Sequence, residues 1–262
     1  MQVDPFGIVG KVAIVTGGGT GIGTATARLL AAHGATPVIA SRKMENLNRV
    51  ADEIRQSTGV EVLAVETDVR DAASCQALVA QAVSELGRLD ILVNNAGGSY
   101  MFPFLDTPVE RYDNNMDLNL RGPYVLSQAA APHMIANGGG AIVNISSAAG
   151  VSGVKGGAVY SAAKAGLQML TRVVAAELGP KGVRCNCIAV GGVASEGALR
   201  SWARFGESAE SMGSRVPLRR VGMPEDIAWG VLFFCGAMSS WVSGQTLSID
   251  GGPIIGGMEL EG

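Results

Sequence analysis

Positive charge is not in excess in this chain: 20 lysines and arginines stand against 23 aspartates and glutamates, for a formal net charge of −3. Nucleic-acid binding relies on a basic surface, so the composition gives that function no electrostatic support. Long hydrophobic runs are also missing, since no stretch approaches the ~20 apolar residues of a membrane-spanning helix. The first ten residues lack the basic start and apolar core of a signal peptide. We therefore expect no nucleic-acid partner and no membrane attachment.

Cysteine and histidine are too few and too scattered to indicate a metal site. The chain has two histidines, both late in predicted helices, and four cysteines with no C-x-x-C spacing. Cys185 and Cys187 are two residues apart on a predicted strand, which places them on one face without making a ligand set. The simplest interpretation is a reduced, cytoplasmic protein without a bound metal.

Glycine and apolar residues, by contrast, are abundant: the chain has 37 glycines, and 47% of its residues are hydrophobic. Short β-branched runs alternate along the chain with longer segments of helical periodicity. This alternation predicts an α/β fold: a single doubly wound Rossmann-type parallel sheet of about seven strands with helices on both faces. We find no linker, repeat or shift in composition, so residues 1–262 are predicted to form one domain.

The first strand–helix junction has a glycine-rich loop. Residues 11–16 (KVAIVT) form a predicted strand, residues 17–23 (GGGTGIG) follow, and an Ala/Leu-rich helix continues to residue 33. Gly17 allows a sharp turn, Gly21 allows the backbone to approach a pyrophosphate, and Gly23 allows the helix to pack closely on the sheet. Backbone amides at the helix start would then face the anion. The loop predicts dinucleotide binding.

Tyr160 and Lys164 lie four residues apart in a predicted helix over residues 159–178, so their side chains leave the same face. A free phenol has a pKa near ~10, and an ammonium about 4 Å away could lower it by up to ~3 units. Tyr160 would then be a usable acid/base. A surface tyrosine one turn from a solvated lysine would give the same pattern, and the pair alone favours that simpler interpretation.

Two motifs together, T-G-x-x-x-G-x-G from Thr16 to Gly23 and Y-x-x-x-K from Tyr160 to Lys164, resemble the short-chain dehydrogenase/reductase family over about residues 10–252. The resemblance implies strand order 3-2-1-4-5-6-7 and four catalytic residues, which outweighs the simpler interpretation of the tyrosine and lysine. In these roles the tyrosine exchanges a proton with the substrate, the serine binds the substrate oxygen, the lysine lowers the tyrosine pKa and holds the nicotinamide ribose, and the asparagine supports a proton relay through water. The four implied residues are Asn119, Ser147, Tyr160 and Lys164.

The predicted second strand ends in Ser41-Arg42, with no carboxylate to bind a ribose hydroxyl. A hydroxyl and a guanidinium can bind a 2′-phosphate, so the resemblance implies NADP(H) rather than NAD(H). Asp68 is expected to accept from adenine, while Asp68 or Asp71 could equally cap the next helix. Val190 and Ser195 replace the proline and threonine usual in the family. The implied cofactor residues are Gly17, Gly19, Thr20, Gly21, Ile22, Gly23, Ser41, Arg42, Asp68, Val69, Asn95, Ala96, Gly97, Tyr160, Lys164, Val193 and Ser195.

The substrate is predicted less sharply. An irregular lid is expected at about residues 192–216, and the candidate substrate residues are mainly apolar, which suits a hydrophobic ketone or secondary alcohol. The alternatives are a hydroxysteroid dehydrogenase, a 3-oxoacyl-thioester reductase, disfavoured by the neutral segment 134–141, and a catalytically silent NADPH-binding regulatory protein. A homotetramer or homodimer built on helices 108–137 and 159–178 is implied. The candidate substrate contacts are Ser147 and Tyr160 with Tyr100, Met101, Val151, Val154, Trp202 and Phe205.

Overall fold

A central sheet of seven parallel strands organises the computed structural model, which describes residues 4–99 and 101–252. The strand order is β3-β2-β1-β4-β5-β6-β7, and every paired strand is parallel. Both the fold class and the strand order predicted from the sequence are confirmed. The strands are β1 (Val12–Thr16), β2 (Thr36–Ser41), β3 (Leu63–Glu66), β4 (Ile91–Asn94), β5 (Gly140–Ser147), β6 (Val183–Val190) and β7 (Thr246–Ile249).

Helices cover both faces of this sheet, because successive residues of each strand point to opposite sides. Val12 and Ile14 of β1 belong to a core cluster with α3, α5 and α7, whereas Ala13 and Val15 pack on the other face with α1 and α10. A third cluster joins α1 to α2. The helices are α1 (Gly21–Ala32), α2 (Met44–Thr58), α3 (Ala72–Leu86), α4 (Val109–Met116), α5 (Gly122–Ala136), α6 (Ala149–Ser152), α7 (Ala158–Leu178), α8 (Glu196–Arg204), α9 (Ala209–Gly213) and α10 (Pro224–Cys235).

The long helix expected over residues 108–137 is interrupted, but not at the glycine–proline pair that the sequence suggested. A π-helical turn, Asp117–Arg121, joins α4 to α5, and Gly122 continues in right-handed helical geometry. Pro123 lies in the first turn of α5. The widened turn lies just before it and contains Asn119.

The lid expected to be irregular at about residues 192–216 contains two helices, α8 and α9. Each begins at a serine that caps it: Ser195 Oγ accepts a hydrogen bond from the amide of Ala198, and Ser208 Oγ accepts one from Ser211. Such caps satisfy amides that have no partner within the helix. The segment is therefore ordered by local hydrogen bonds, although few of its residues are buried.

Buried amides tie the centre of the sheet to the helix that carries Tyr160. Asn94 Nδ2 donates to Asn144 Oδ1 over 2.8 Å, and Asn144 Nδ2 donates to Thr171 Oγ1 over 2.9 Å. Asn94 also donates to Ser127 of α5. Polar groups in a dry interior need partners in fixed positions, so these bonds set how α7 lies on β4 and β5.

Among the described residues, no helix is long and apolar enough to cross a bilayer.

Candidate active site

Two adjoining cavities lie along the carboxyl edge of the sheet. Their volumes are about 530 and 340 Å³, and Gly17, Thr20, Ala96 and Gly97 line both. The cavities open beside the ends of β1 and β4, where the strand order reverses direction, and open parallel sheets bind ligands at such a point. Each volume falls within the ~300–1,000 Å³ typical of small-molecule sites.

The glycine loop after β1 leaves no room for side chains. A β-carbon added at Gly17 would lie 2.7 Å from Asn95 Nδ2, and one added at Gly23 would lie 2.2 Å from the carbonyl oxygen of Gly17. Gly17 also has a φ of +67°, which favours glycine. The loop and the start of α1 therefore form a tight cradle whose backbone amides can face an anion, as a dinucleotide pyrophosphate requires.

The loop after β4 is fastened to the end of β1. Thr16 Oγ1 accepts hydrogen bonds from the backbone amides of Asn95 and Ala96, each over 3.0 Å, and Asn95 Nδ2 donates to the carbonyl of Thr16 over 2.8 Å. These bonds hold Ala96 and Gly97 at the border of both cavities. The predicted Asn95-Ala96-Gly97 segment therefore lies in the site.

The larger cavity is bordered by three arginines, Arg42, Arg70 and Arg111. Ser41 and Arg42 line it at the end of β2, together with Asp68, Val69 and Arg70 after β3. Asp68 accepts hydrogen bonds from Nε of Arg70 with both carboxylate oxygens, over 3.0 and 3.1 Å. The bond from Arg70 is the largest cause that lowers the pKa of Asp68, and the charge of Arg42 contributes.

The structure shows which of the two aspartates after β3 caps the next helix. Asp71 caps α3, because its Oδ1 accepts from the amide of Ala73 over 3.0 Å. Asp68 does not cap the helix; its carboxylate faces the larger cavity with Arg70.

The smaller cavity brings three of the four predicted catalytic residues together. Ser147 at the end of β5 lines it with Tyr160 and Lys164 of α7. Lys164 is only 4% exposed, and its Nζ donates to the carbonyl of Ile145 over 2.8 Å. The same Nζ lies 5.9 Å from the centre of the Tyr160 ring. A hydroxyl, a phenol and an amine thus converge at one end of the site.

The expected lowering of the tyrosine pKa by Lys164 is not found in this structure. Burial raises the pKa of Tyr160 above its usual value, and a hydrogen bond with Ser147 opposes that rise. Burial also lowers the pKa of Lys164, to about 8. Desolvation disfavours the charged form of both groups, and the amine is directed to the carbonyl of Ile145 rather than to the phenol.

Asn119 lies immediately behind the cavity wall. In the π-helical turn its Oδ1 accepts from the amide of Gly98 over 3.2 Å, while its Nδ2 donates to the carbonyl of Gly98 over 3.1 Å and to Asn115 Oδ1 over 2.9 Å. A β-carbon placed at Gly97 would be 3.0 Å from Asn119 Oδ1 and 3.2 Å from Lys164 Nζ. Asn119 is therefore next to Lys164 but does not line either cavity.

Comparison with known proteins identifies the family. A family model described as enoyl-(acyl carrier protein) reductase matches residues 17–253. The 7α-hydroxysteroid dehydrogenase of Escherichia coli K12 is 39% identical over 251 residues, which cover 96% of this chain and 97% of that protein. The chain belongs to the short-chain dehydrogenase/reductase family. It is therefore related to oxidoreductases that act on hydroxyl and carbonyl groups.

Two solved structures of short-chain dehydrogenase/reductases share the whole architecture. A 7α-hydroxysteroid dehydrogenase complexed with NADH and 7-oxo glycochenodeoxycholic acid superposes with a TM-score of 0.90 at 38% identity, covering 97% of this chain and 98% of that one. L-Sorbose reductase from Gluconobacter frateurii, complexed with NADPH and L-sorbose, gives a TM-score of 0.91 at 30% identity, covering 94% and 97%. Relatives of this fold thus bind either nicotinamide cofactor.

Not every residue implied by the short-chain dehydrogenase/reductase resemblance lines a cavity. A β-carbon at Gly19 would meet Ser41 Oγ at 3.3 Å, so this glycine lies under the end of β2. Gly23 packs inside the cradle, and Val193 is buried beside Gly222, with which it forms a single parallel bridge. Ser195 does line the smaller cavity, although its hydroxyl also caps α8.

The candidate substrate residues do not all lie together in the structure. A β-carbon at Gly157 would touch both Val154 and Met101, so these two side chains lie together near the start of α7. Trp202 is half-buried, and its ring lies 3.7 Å from a β-carbon position at Gly192. Phe205 and Val151 are 72% and 63% exposed. Tyr100, also proposed from the sequence, lies outside the described residues.

Several residues that line the cavities were not found from the sequence. Arg70, Glu110, Arg111, Asn114 and Leu118 border the larger cavity, and Glu196, Gly197 and Arg200 border the smaller one. The available signal for the second set was helical spacing after Ser195, which the expectation of an irregular lid obscured. The described residues contain no group of three or more potential metal ligands.

Proposed function

We propose that this protein is an NADP(H)-dependent oxidoreductase that interconverts a hydrophobic ketone and a secondary alcohol. The observation that carries this proposal is the joining of the two cavities: Ser147, Tyr160 and Lys164 border one end of a site whose other parts are a glycine cradle and an arginine-rich pocket. That arrangement suits a dinucleotide lying along the sheet edge with its reactive end beside the phenol.

The residues at the site have separate roles in the proposed reaction. A bound nicotinamide cofactor supplies or accepts the hydride. In reduction, Tyr160 gives its hydroxyl proton to the substrate oxygen as general acid, and in oxidation it takes a proton back. Ser147 donates a hydrogen bond to the same oxygen and stabilises the charge that develops there. When it is protonated, Lys164 places a positive charge close to the phenol. Asn119, which lies behind Gly97, supports proton exchange with water.

The raised pKa of Tyr160 keeps the phenol protonated at neutral pH, which is the form that ketone reduction needs, but it also makes the phenol a weaker acid. For alcohol oxidation the phenol must first lose its proton, and the positive charge of an oxidised nicotinamide bound nearby would favour that loss.

Preference for NADP(H) is supported by the end of β2. Ser41 and Arg42 line the larger cavity, with Arg70 also at its border. A guanidinium can bind a 2′-phosphate through two parallel hydrogen bonds. We expect Arg42→Asp to shift the ratio of kcat/KM values from NADPH toward NADH by at least about tenfold, which corresponds to ~1.4 kcal/mol. An unchanged ratio in steady-state kinetics would remove Arg42 from this role.

The choice of substrate rests on the apolar character of Val154, Met101 and Trp202, none of which borders the two cavities in this structure. A steroid ketone is the favoured example, supported by the relationship to 7α-hydroxysteroid dehydrogenase, and a 3-oxoacyl thioester is the alternative. The cytoplasmic location expected from the sequence, the single domain over residues 1–262 and a homotetramer or homodimer stay predictions.

The test of the proposed function is a panel of ketones and secondary alcohols, run in both directions with both cofactors, on the wild type and on Tyr160→Phe. We expect NADPH-dependent turnover of a hydrophobic ketone by the wild type and a loss of about 10²–10⁴-fold in Tyr160→Phe. The variant should still bind NADPH, because it keeps the cradle. Wild-type turnover in Tyr160→Phe contradicts the mechanism, and tight NADPH binding without turnover of any panel member would favour a regulatory protein.

A further inference from the structure

The helix α8 begins directly on the phosphate-binding loop. Ser195, its cap, lines the smaller cavity, and a β-carbon placed at Gly21 would lie 3.0 Å from Ser195 Cβ. Gly21 is also the first residue of α1. The starts of α1 and α8 therefore meet at one wall of the cavity, so residues in the first turns of α8 lie near the place where the loop would hold a pyrophosphate.

One face of α8 borders this cavity, and the residues on that face include an arginine. Glu196, Gly197 and Arg200 line the cavity together with Thr20 and Gly21 of the loop. Their spacing of three and four residues places them on one side of the helix.

Trp202 points elsewhere, because two residues correspond to roughly 200° around a helix. Its ring lies near Gly192 instead. Arg200 thus lies on the side of α8 that borders the smaller cavity, and Trp202 lies on the opposite side of the helix.

The guanidinium of Arg200 is held only loosely by the chain. Within the part of the chain that the structure describes, its ion-pair partner is the carboxylate of Glu196, 3.7 Å away, and the two side chains are 69% and 64% exposed. Ion pairs as exposed as this are weak. Lys164, the other basic residue bordering the cavity, is engaged with the carbonyl of Ile145. Arg200 is therefore the cation best placed to exchange its partner for an arriving anion.

We propose that Arg200 binds the pyrophosphate bridge of the nicotinamide cofactor, exchanging the carboxylate of Glu196 for phosphate oxygens and fixing α8 over the bound cofactor. The inference rests on the proposed function, since it requires a dinucleotide in the two cavities. A guanidinium matches phosphate oxygens with two parallel hydrogen bonds and keeps its charge at every physiological pH. Glu196 acts in this exchange as a competitor, because its carboxylate holds the arginine when no cofactor is bound.

The inference separates Arg200 from Arg42 by the part of the cofactor that each binds. A pyrophosphate bridge occurs in NADP⁺, NAD⁺ and ADP-ribose alike, whereas adenosine 2′-phosphate lacks it. Loss of Arg200 should therefore weaken the first three ligands by similar factors and leave the fourth unchanged. Loss of Arg42 should weaken the ligands that carry a 2′-phosphate.

The experiment is an equilibrium binding titration of the full chain with NADP⁺, NAD⁺, ADP-ribose and adenosine 2′-phosphate, without substrate. We expect Arg200→Gln to raise the Kd of the three pyrophosphate ligands about tenfold, as for the loss of a charge-assisted hydrogen bond. Arg200→Lys should recover part of this loss. Glu196→Gln should tighten the same three ligands about two- to threefold, because a competing carboxylate has been removed.

Arg204→Gln is the matched control, since Arg204 is an exposed residue of the same helix that does not border the cavity. It should bind all four ligands as the wild type does. Thermal unfolding of each variant without ligand verifies that the fold is retained.

Three results would overturn the inference, and they can be told apart from failure of the proposed function. Wild-type affinity of Arg200→Gln for all four ligands would exclude a phosphate contact. An equal loss for adenosine 2′-phosphate would mean that the substitution acts on the whole site. Unchanged Kd values with a raised KM for a ketone that carries a carboxylate would assign Arg200 to the substrate. If the wild type itself binds neither dinucleotide, the proposed function fails.

Discussion

Lys164 is a nearly buried lysine whose position has a thermodynamic consequence. It is 4% exposed, and burial lowers its pKa from 10.5 to about 8. In the unfolded chain the amine has its ordinary pKa, so between pH 8 and pH 10.5 the unfolded state binds more protons than the folded state. Stability therefore increases with pH across that window, because the folded protein no longer has to keep a desolvated charge. Below pH 8 the penalty is present in full.

We therefore expect Lys164→Met to raise the free energy of unfolding at pH 7 more than at pH 10. The gain should shrink by on the order of 2 kcal/mol between these pH values, as a shift of about 2.5 units implies. Urea unfolding of the protein without cofactor measures this. Lys181→Met is the control, since Lys181 is exposed and its replacement should give no such change. A pH-independent difference for Lys164→Met would show that the amine is not desolvated.

At this scale the sequence predicts which residues come together better than it predicts their properties. Ser147, Tyr160 and Lys164 were found from the motifs of the family resemblance, and the structure brings all three candidate catalytic residues to one cavity. The pKa of Tyr160 could not be predicted, because burial is set by the packing of distant segments around the phenol. Arg200 was missed for a different reason, since its orientation follows from a helix that the sequence did not reveal.

Among the elements, α1 shows how closely a helix must approach a strand to build the cradle. Gly23 lies in its first turn, and an added β-carbon there would be 2.2 Å from the carbonyl oxygen of Gly17 and 2.7 Å from Asn95 Nδ2. Real contacts are never so short, so a side chain would force α1 away from β1 and β4. The bonds that hold Asn95 to Thr16 would be strained by the same movement.

We expect Gly23→Ala to lower the free energy of unfolding by about 1–3 kcal/mol, as for other overpacked sites, and to weaken NADP⁺ binding strongly. Gly179→Ala is the matched control, because Gly179 has helical backbone angles and nothing within 4 Å of its β-carbon position. That substitution should be neutral or slightly stabilising. Chemical denaturation and a binding titration give both quantities. Equal stability of the two variants would mean that the cradle tolerates a wider approach of α1.

Most elements of the sheet and its flanking helices were predicted from periodicity, whereas two features were not. The π-helical turn at Asp117–Arg121 depends on hydrogen bonds that shift by one residue, and residue spacing does not encode that shift. Helix α8 has only nine residues and buries none of them, so its apolar spacing was assigned to an irregular lid rather than to a helix. Its capping serine became recognisable only once the helix start was known.

At the scale of the whole molecule, the sheet is covered on both faces, but the outer surfaces of the covering helices are not fully polar. Met169 and Val173 of α7, one turn apart, are 55% and 46% exposed, and Tyr124 of the neighbouring α5 is 48% exposed. Monomeric proteins rarely leave large apolar patches in water. This surface lies on the two helices that the resemblance implies for subunit contact, and a second copy of the chain is the occupant that we expect.

The native mass should therefore be a multiple of the 26.8 kDa chain. Val173→Glu places a charge on the expected contact surface and should halve the mass measured by light scattering, because burying an unpaired carboxylate between subunits is costly. Val9→Glu is the control, since Val9 is 62% exposed before β1, away from α5 and α7. It should leave the mass unchanged. A wild-type protein that stays at the mass of one chain over micromolar concentrations would contradict the oligomer, and so would a Val173→Glu variant that assembles normally. The catalytic proposal does not depend on either result, because the residues that it uses, Ser147, Tyr160 and Lys164, border the same cavity within a single chain.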